Sequence, residues 1–306
     1  MDNIIKLAYE YGKHFTHLGE TANYIPELEK ADINDLGVYL IGLDGQEYGV
    51  GSYEKKFTIQ SISKVLVLTL ALMDNGPDKV FDKIGVEATG DPFNSIVRLE
   101  VKNLQKPLNP MINAGAIATT SLVLGENKQE KINRIMAFTR VASGNSTIEI
   151  NEEVYASESK TGDRNRSLAY FMKSCGTIEG DVEELVDIYF RQCAMEMTCK
   201  DLARIGTLYA NKGVSPITGE QIIPTEICRI VMGIMMTCGL YDASGEFAVN
   251  VGIPSKSGVG GGILSPVPGK MGIGVYGPAL DQKGNTIGGI EILKYLSKEL
   301  NLNIFS

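Results

Sequence analysis

The run Val65-Leu-Val-Leu-Thr-Leu-Ala-Leu-Met73 is apolar at nearly every position. A helix that is hydrophobic all round has no face to offer solvent and must be enclosed by other elements. The run is too short to cross a bilayer, which takes about 20 residues of helix. The fold is therefore expected to be built around it. Directly before it stands Phe57-Thr-Ile-Gln-Ser61-Ile-Ser-Lys64, so a strand-like stretch delivers a serine and a lysine to the mouth of a buried helix. Residues three apart share a helix face, which puts the Lys64 amine within reach of the Ser61 hydroxyl. A lysine gives up its charge readily when buried, and a neutral amine beside a hydroxyl is a base beside a nucleophile.

Spacing alone is a weak signal, because the same letters recur at Ser52–Lys55 and Ser157–Lys160. Ser52 reads as part of a polar turn and Ser157 as part of a polar, charged loop. Only the 61–64 copy lies between a strand pattern and a buried helix, the context that Ser-x-x-Lys has in serine acyl-transfer enzymes. The histidine count supports the same chemistry. His14 and His17 are the only two, and neither lies near another candidate motif. With no Ser-His-Asp triad or zinc site to be built from them, lysine or tyrosine is left as the base. No metal or cofactor is called for.

The 306 residues suffice for one large domain or two. Their 29 basic and 37 acidic side chains leave a net charge of −8. No extended Lys/Arg cluster occurs, which argues against nucleic acid as a partner. Ile4, Ile5, Leu7, Ala8, Tyr11, Phe15 and Leu18 follow helical spacing among Asp2, Glu10 and Glu20. That is an amphipathic helix, not a signal peptide. The five cysteines are odd in number and contain no C-x-x-C, which reads as reduced thiols. A cytoplasmic protein with no membrane contact is expected.

Gly37 to Gly51 reads as a β-hairpin turning at Asp44-Gly45. The helix from Ser61 is expected to stop at Asp74-Asn75-Gly76-Pro77. Helical spacing continues over Ala114–Leu124, Lys128–Val141, Asp181–Ala194, Thr198–Asn211 and Thr225–Met236, with Thr198 and Asp201 as a capping box. Strand patterns return at Ser257–Leu264 and Met271–Tyr276, joined by a turn with Pro266 and Pro268, and Ile287–Leu300 closes the chain as a helix. Strands at both ends with a helical block between them predict an α+β fold. Its single sheet is antiparallel and built from N- and C-terminal segments, with flanking helices. The sheet part takes residues 1–60 and 246–306, and the helical part takes 61–245.

Lys256-Ser257-Gly258 stands just before the strand pattern that opens the C-terminal part, where backbone N–H groups can face a developing oxyanion. Lys160-Thr161-Gly162 has similar letters but no strand around it. Ser143-Gly-Asn145 reads as a turn, and Tyr209, in Tyr209-Ala-Asn211, as helix packing. The glycines of 258–262 begin no helix and lack the phosphate-loop pattern. They are read as permitting close backbone approach.

Six segments together resemble the bacterial serine-dependent glutaminases, relatives of β-lactamases and penicillin-binding proteins. They are Tyr24-Ile-Pro-Glu-Leu28, Gln60-Ser-Ile-Ser-Lys64, Asn109-Pro-Met-Ile-Asn-Ala-Gly-Ala-Ile117, Ser157-Glu158 with Gly162-Asp-Arg-Asn165, Cys238-Gly-Leu-Tyr-Asp242, and Lys256-Ser-Gly-Val-Gly-Gly-Gly-Ile263. They keep the family's order across nearly the whole chain. The resemblance implies a β-lactamase-like fold, one catalytic unit over 1–306, and hydrolysis of L-glutamine to L-glutamate and ammonia by a homodimer or homotetramer. It implies that Ser61 attacks the amide, that Lys64 activates it, and that Tyr24 and Tyr241 sit beside them, Tyr241 shuttling the proton. The N–H groups of Ser61 and Val259 would hold the oxyanion. Asn113, Glu158, Asn165 and Tyr189 would bind the amino-acid end.

Taken singly, these residues have plainer readings: Glu158 a solvated loop charge, Asn113 a helix N-cap, Tyr189 core and Tyr24 packing. Two other functions fit the scaffold. One is a β-lactamase-like amidase or esterase, which the missing export signal and Ser/Tyr-x-Asn element disfavour. The other is an amino-acid-binding protein without catalysis, which would not need both Ser61 and Lys64.

Overall fold

The computed structural model describes residues 1–90, 92, 94–96 and 106–306. The chain pairs Gly37–Gly42 (β1) with Glu47–Gly51 (β2) around the Asp44-Gly45 turn, where Gly45 takes φ +83°. A short pair, Phe57–Thr58 (β3) and Glu196–Met197 (β4), stands apart from the main sheet. Lys256–Ser257 (β5), Gly262–Val267 (β6) and Met271–Tyr276 (β7) complete an antiparallel sheet in the order β2-β1-β7-β6-β5. The sheet thus joins N- and C-terminal segments, with the helical block inserted between them.

The helices among the described residues are Asp2–Lys13 (α1), Ser63–Lys83 (α2), Asn113–Ser121 (α3), Lys128–Ser143 (α4), Glu152–Thr161 (α5), Asp163–Ser174 (α6), Val182–Cys193 (α7), Cys199–Ala210 (α8), Thr225–Cys238 (α9), Ser244–Asn250 (α10) and Ile287–Glu299 (α11). Every residue from Val65 to Leu72 in α2 is buried. The expected stop appears as a break: Gly76 leaves helical geometry at φ 78°, ψ 160°, and Pro77 opens the last turns to Lys83. Proline is tolerated there because a first-turn residue has no helical acceptor to give its missing N–H. The Thr198–Asp201 capping box forms in both directions.

Period-2 alternation splits the sheet between two cores. Val38, Leu40, Ile273 and Val275 face the terminal helices, together with Ile5, Ala8, Ile292 and Leu296. Tyr39, Ile41, Leu264 and Tyr276 join the larger core around α2. On that second face glycines let α8 press onto the strands. A Cβ at Gly272 would lie 2.1 Å from the Ala203 carbonyl oxygen, and one at Gly274 2.1 Å from that of Cys199.

Several expectations are corrected. Ser257–Leu264 is not one strand. β5 and β6 are two arms of a hairpin whose tip, Gly258–Gly261, closes through Gly258 N–H to Gly262 O and Gly261 N–H to Gly258 O. Gly261 supplies the φ of +97° that the reversal needs. Pro266 lies in β6 opposite Gly272, beyond the two-residue reach of β5, so its missing N–H costs no ladder bond. Ser157 and Glu158 are helical in α5, not in a loop. Asn151 caps that helix by accepting the Val154 N–H, and Glu152 and Glu153 in the first turn suit its N-terminal dipole. With Val154 and Glu158 as its only buried residues, α5 has too few apolar positions to show helical spacing. Asn113 does not cap α3; it is the first helical residue and turns its side chain inward.

Candidate active site

Ser61 sits in the single 3-10 turn Gln60–Ile62 that feeds α2. Gln60 holds φ +47°, unusual for a residue with a Cβ. The Ser63 hydroxyl braces this turn by donating to the Gln60 carbonyl at 2.7 Å. From the other side the β5–β6 tip presses against the same backbone. A Cβ at Gly258 would come within 2.4 Å of the Ile59 oxygen, and one at Gly260 within 2.1 Å of the Thr58 oxygen. The glycines therefore do what their spacing suggested, and they set Val259 beside the turn that carries Ser61.

Lys64 is 1% exposed and Ser61 7%. The Lys64 amine donates to the Met111 carbonyl at 3.1 Å and to Asn113 Oδ1 at 2.7 Å. The Ser61 hydroxyl shares its hydrogen bond with the Tyr241 phenol, which also donates to the Ser257 carbonyl at 3.4 Å. Direct contact between Ser61 and Lys64 was expected; among the described hydrogen bonds, Ser61 meets Tyr241 instead. Tyr241 lies on the 3-10 turn Tyr241–Ala243 at φ +57°. Burial pushes its phenol up to about 12 despite the hydrogen bonds to Ser61 and Ser257. It is thus a protonated donor at neutral pH.

Asn113 passes the contact onward: its Nδ2 donates to Asn165 Oδ1 at 2.9 Å. Glu158, from α5, is buried and hydrogen-bonded to Gln60. Its Oε2 is buried and finds no hydrogen-bond partner among the described residues. Burial raises this carboxyl to about 8 against the opposing pull of Lys64. Burial lowers Lys64 to about 8, countered by Cys193 and Glu158. Tyr189 on α7 is buried and bonded to the Cys193 thiol. Tyr24 is half exposed, yet its phenol reaches inward far enough for burial, Tyr241 and Glu158 to raise its pKa. A groove of about 380 Å³ leads in between Tyr24, Val259 and the loop Leu280–Gly284.

The fold thus gathers Ser61, Lys64, Tyr241, Val259, Asn113, Glu158, Asn165, Tyr189 and Tyr24 around one cleft between the sheet and the helical block. Sequence reasoning left out three neighbours. Lys256 is fully buried, donates to the Gly239 and Ser257 carbonyls at 2.8 and 2.6 Å, and lies 4.2 Å over the Tyr241 ring. Its position in the Lys-Ser-Gly motif was the available signal. Gln60 was visible only as a flank of Ser61. Cys193, within reach of Ser63 and Tyr189, gave no signal beyond one cysteine on an apolar helix.

An antiparallel sheet from both chain ends, a helical insertion, and a buried Ser-x-x-Lys turn against an edge Lys-Ser-Gly strand define the β-lactamase-like fold. Residues 19–305 match the Glutaminase family profile. The glutaminase of Clostridium tetani is 62% identical over 305 residues, with all of both chains covered. A Bacillus glutaminase solved in 4.3 M NaCl superposes with a TM-score of 0.91 at 41% identity, covering 98% of each chain. A Bacillus subtilis glutaminase solved as a covalent complex with 5-oxo-L-norleucine, formed by reaction with 6-diazo-5-oxo-L-norleucine, gives 0.90 at 39% identity over 98% of each chain. The chain belongs to the glutaminase family and is an enzyme of that class, an amidohydrolase.

Proposed function

We propose that this chain hydrolyses the side-chain amide of L-glutamine through a γ-glutamyl ester on Ser61. The observation that carries the reading is Glu158 Oε2, buried and without a hydrogen-bond partner among the described residues. An unpaired buried acceptor is costly, and the α-ammonium of an amino acid would satisfy it with a charge-assisted bond. Asn113, Asn165 and Tyr189 offer amide and phenol donors to the α-carboxylate, which fixes the amino-acid end and leaves the amide to face Ser61.

A neutral amine has two N–H bonds and one lone pair. Met111 O and Asn113 Oδ1 take the two N–H bonds of Lys64, which leaves the lone pair for the Ser61 proton. The Ser61 oxygen then bonds to the amide carbon, and the carbonyl electrons move to an oxyanion held by the N–H groups of Ser61 and Val259. Tyr241, protonated and bonded to Ser61, gives its proton to the departing nitrogen as the C–N bond breaks, and Lys64 restores it. Water attacks the ester by the same route in reverse and releases glutamate. The covalent complex of the Bacillus subtilis relative supports a nucleophile of this kind.

The reading extends to one catalytic unit over residues 1–306, working in the cytoplasm as a homodimer or homotetramer. Leu7, Tyr11 and Leu18 support assembly: they belong to the apolar stripe read in the sequence, yet are exposed on and just after α1. Ammonia release from glutamine, with asparagine and a penicillin as controls, tests the chemistry. Ser61→Ala is expected to lose at least about 10³-fold in kcat, and Lys64→Ala a comparable factor. Turnover by Ser61→Ala at the wild-type rate would falsify the acyl-enzyme. A binding protein without catalysis would release no ammonia at all.

A further inference from the structure

The loop that closes the groove is a built turn. Leu280 bridges to Glu20 on one side and to Thr286 on the other, which pins the base. Above that base the Asp281 N–H donates to the Asn285 carbonyl at 2.8 Å, and Gly284 N–H donates to the Asp281 carbonyl at 3.0 Å. The Asp281 carboxylate adds two bonds, accepting the Lys283 N–H at 2.8 Å and the Asn285 N–H at 2.9 Å through one oxygen. The product of these bonds is the placement of Gly284. It adopts φ +87°, and a Cβ there would lie 3.1 Å from Val259 Cγ1 and 3.8 Å from Tyr241 Cε2. The Gly284 backbone thus faces both the residue offered for the oxyanion and the residue offered as proton donor, with too little room for a methyl group beside Val259. Asp281 is also close enough for its charge to raise the Tyr241 pKa.

We infer that Asp281 is a positioning residue for the reaction: its side chain fixes the turn that holds Gly284 against Val259 and Tyr241. The inference rests on the roles proposed above for those two residues. Val259 stands at the tip of the glycine-rich hairpin, where Gly258 and Gly260 meet the Ile59 and Thr58 carbonyls on one side and Gly284 approaches on the other. Tyr241 sits in a left-handed conformation that neighbours must enforce. A shift of about 1 Å in such groups costs on the order of 10²-fold in rate, so a small clamp has a large effect on turnover. It has little effect on substrate affinity, because Glu158, Asn113, Asn165 and Tyr189 lie on other elements.

The test compares Asp281→Ala, Asp281→Asn and Gly284→Ala with the wild type in steady-state kinetics and thermal denaturation, with Ser61→Ala alongside. Asp281→Ala is expected to lower kcat by about 10- to 100-fold with KM nearly unchanged and little change in melting temperature. Asp281→Asn keeps an oxygen acceptor for both N–H groups and should recover most of kcat. Gly284→Ala, strained at its φ and crowded against Val259, should lower kcat in the same way, and it decides the matter if Asp281→Ala fails to fold. Wild-type kcat in Asp281→Ala, a loss confined to KM, or failure of Asn to rescue would each overturn the clamp. If Ser61→Ala remains inactive while Asp281→Ala turns over normally, only the clamp falls. An active Ser61→Ala removes the acyl-enzyme beneath it.

Discussion

Lys64 and Glu158 are displaced toward the same value, about 8, from opposite sides, and burial is the first cause in both. Each is needed in its deprotonated form: the amine to take the Ser61 proton, the carboxylate to hold an ammonium. Both requirements are met above that value and both fail below it. kcat/KM should therefore rise with pH through the region of 8 and level off, and because two groups titrate, the rise should be steeper than a single proton allows. The two apparent constants belong to the pair. Glu158→Gln removes one titration, so its kcat/KM should be far lower yet climb with the slope of one proton. A flat kcat/KM over roughly pH 6 to 9 would show that neither group gates the chemistry.

The serine turn and the glycine hairpin form a single unit at the scale of elements, because backbone meets backbone with no side chain between. A methyl group at Gly260 would lie 2.1 Å from the Thr58 oxygen, and a carbonyl cannot rotate away as a side chain would. Gly260→Ala should push the hairpin tip off the turn, destabilise by about 1–3 kcal/mol, and lower kcat more than it raises KM. Wild-type kinetics in that variant would mean that the two elements move independently. The hairpin also marks where the sequence became hard to read. Residues 257–264 carry β-forming Val259, Ile263 and Leu264 among four glycines, and the reversal inside them is signalled only by those glycines, which equally fit a strand under a close neighbour. Helices with an apolar stripe and explicit caps, such as α7 and α8, were legible from their own residues. Helix α5 was not, because it buries only Val154 and Glu158 and most of its surface is polar. The site divides in the same way. Ser61 and Lys64 announce themselves locally, since a polar pair opening a buried helix needs a reason. Asn113, Glu158, Asn165 and Tyr189 come from four separate helices, and no local pattern distinguishes a ligand from a cap, a solvated charge or a core ring. Their joint spacing in a family pattern was the only signal. Cys193 belongs to the cleft solely through tertiary packing, and Gln60 through its place beside Ser61 in the same turn.

At the scale of the whole molecule, two hydrophobic cores on opposite faces of the sheet must hold a cleft that contains Lys64, Lys256 and Glu158, all buried. Buried charges of this kind are a cost to the folded state that function retains. The cost of Glu158 can be read as a pH dependence. Its carboxyl is raised to about 8 in the native state by burial, against about 4.3 in an unfolded chain. Between those values the native protein binds more protons than the unfolded one, so stability falls as pH rises across that window. Lys64 has the opposite displacement. Its native value of about 8 lies below the unfolded value of about 10.4, so its contribution improves only above pH 8 and leaves the lower window to Glu158. Glutamine at 158 keeps the shape and cannot ionise. Glu158→Gln should therefore melt above the wild type, with a gap that is small near the lower end of the window and widens by several degrees toward its upper end. Differential scanning calorimetry of the two proteins without ligand, at matched ionic strength across the window, reads this gap directly. A constant gap would mean that Glu158 titrates in the folded cleft as it does in an unfolded chain, and the vacant acceptor would then lose its claim as the anchor of the substrate's ammonium.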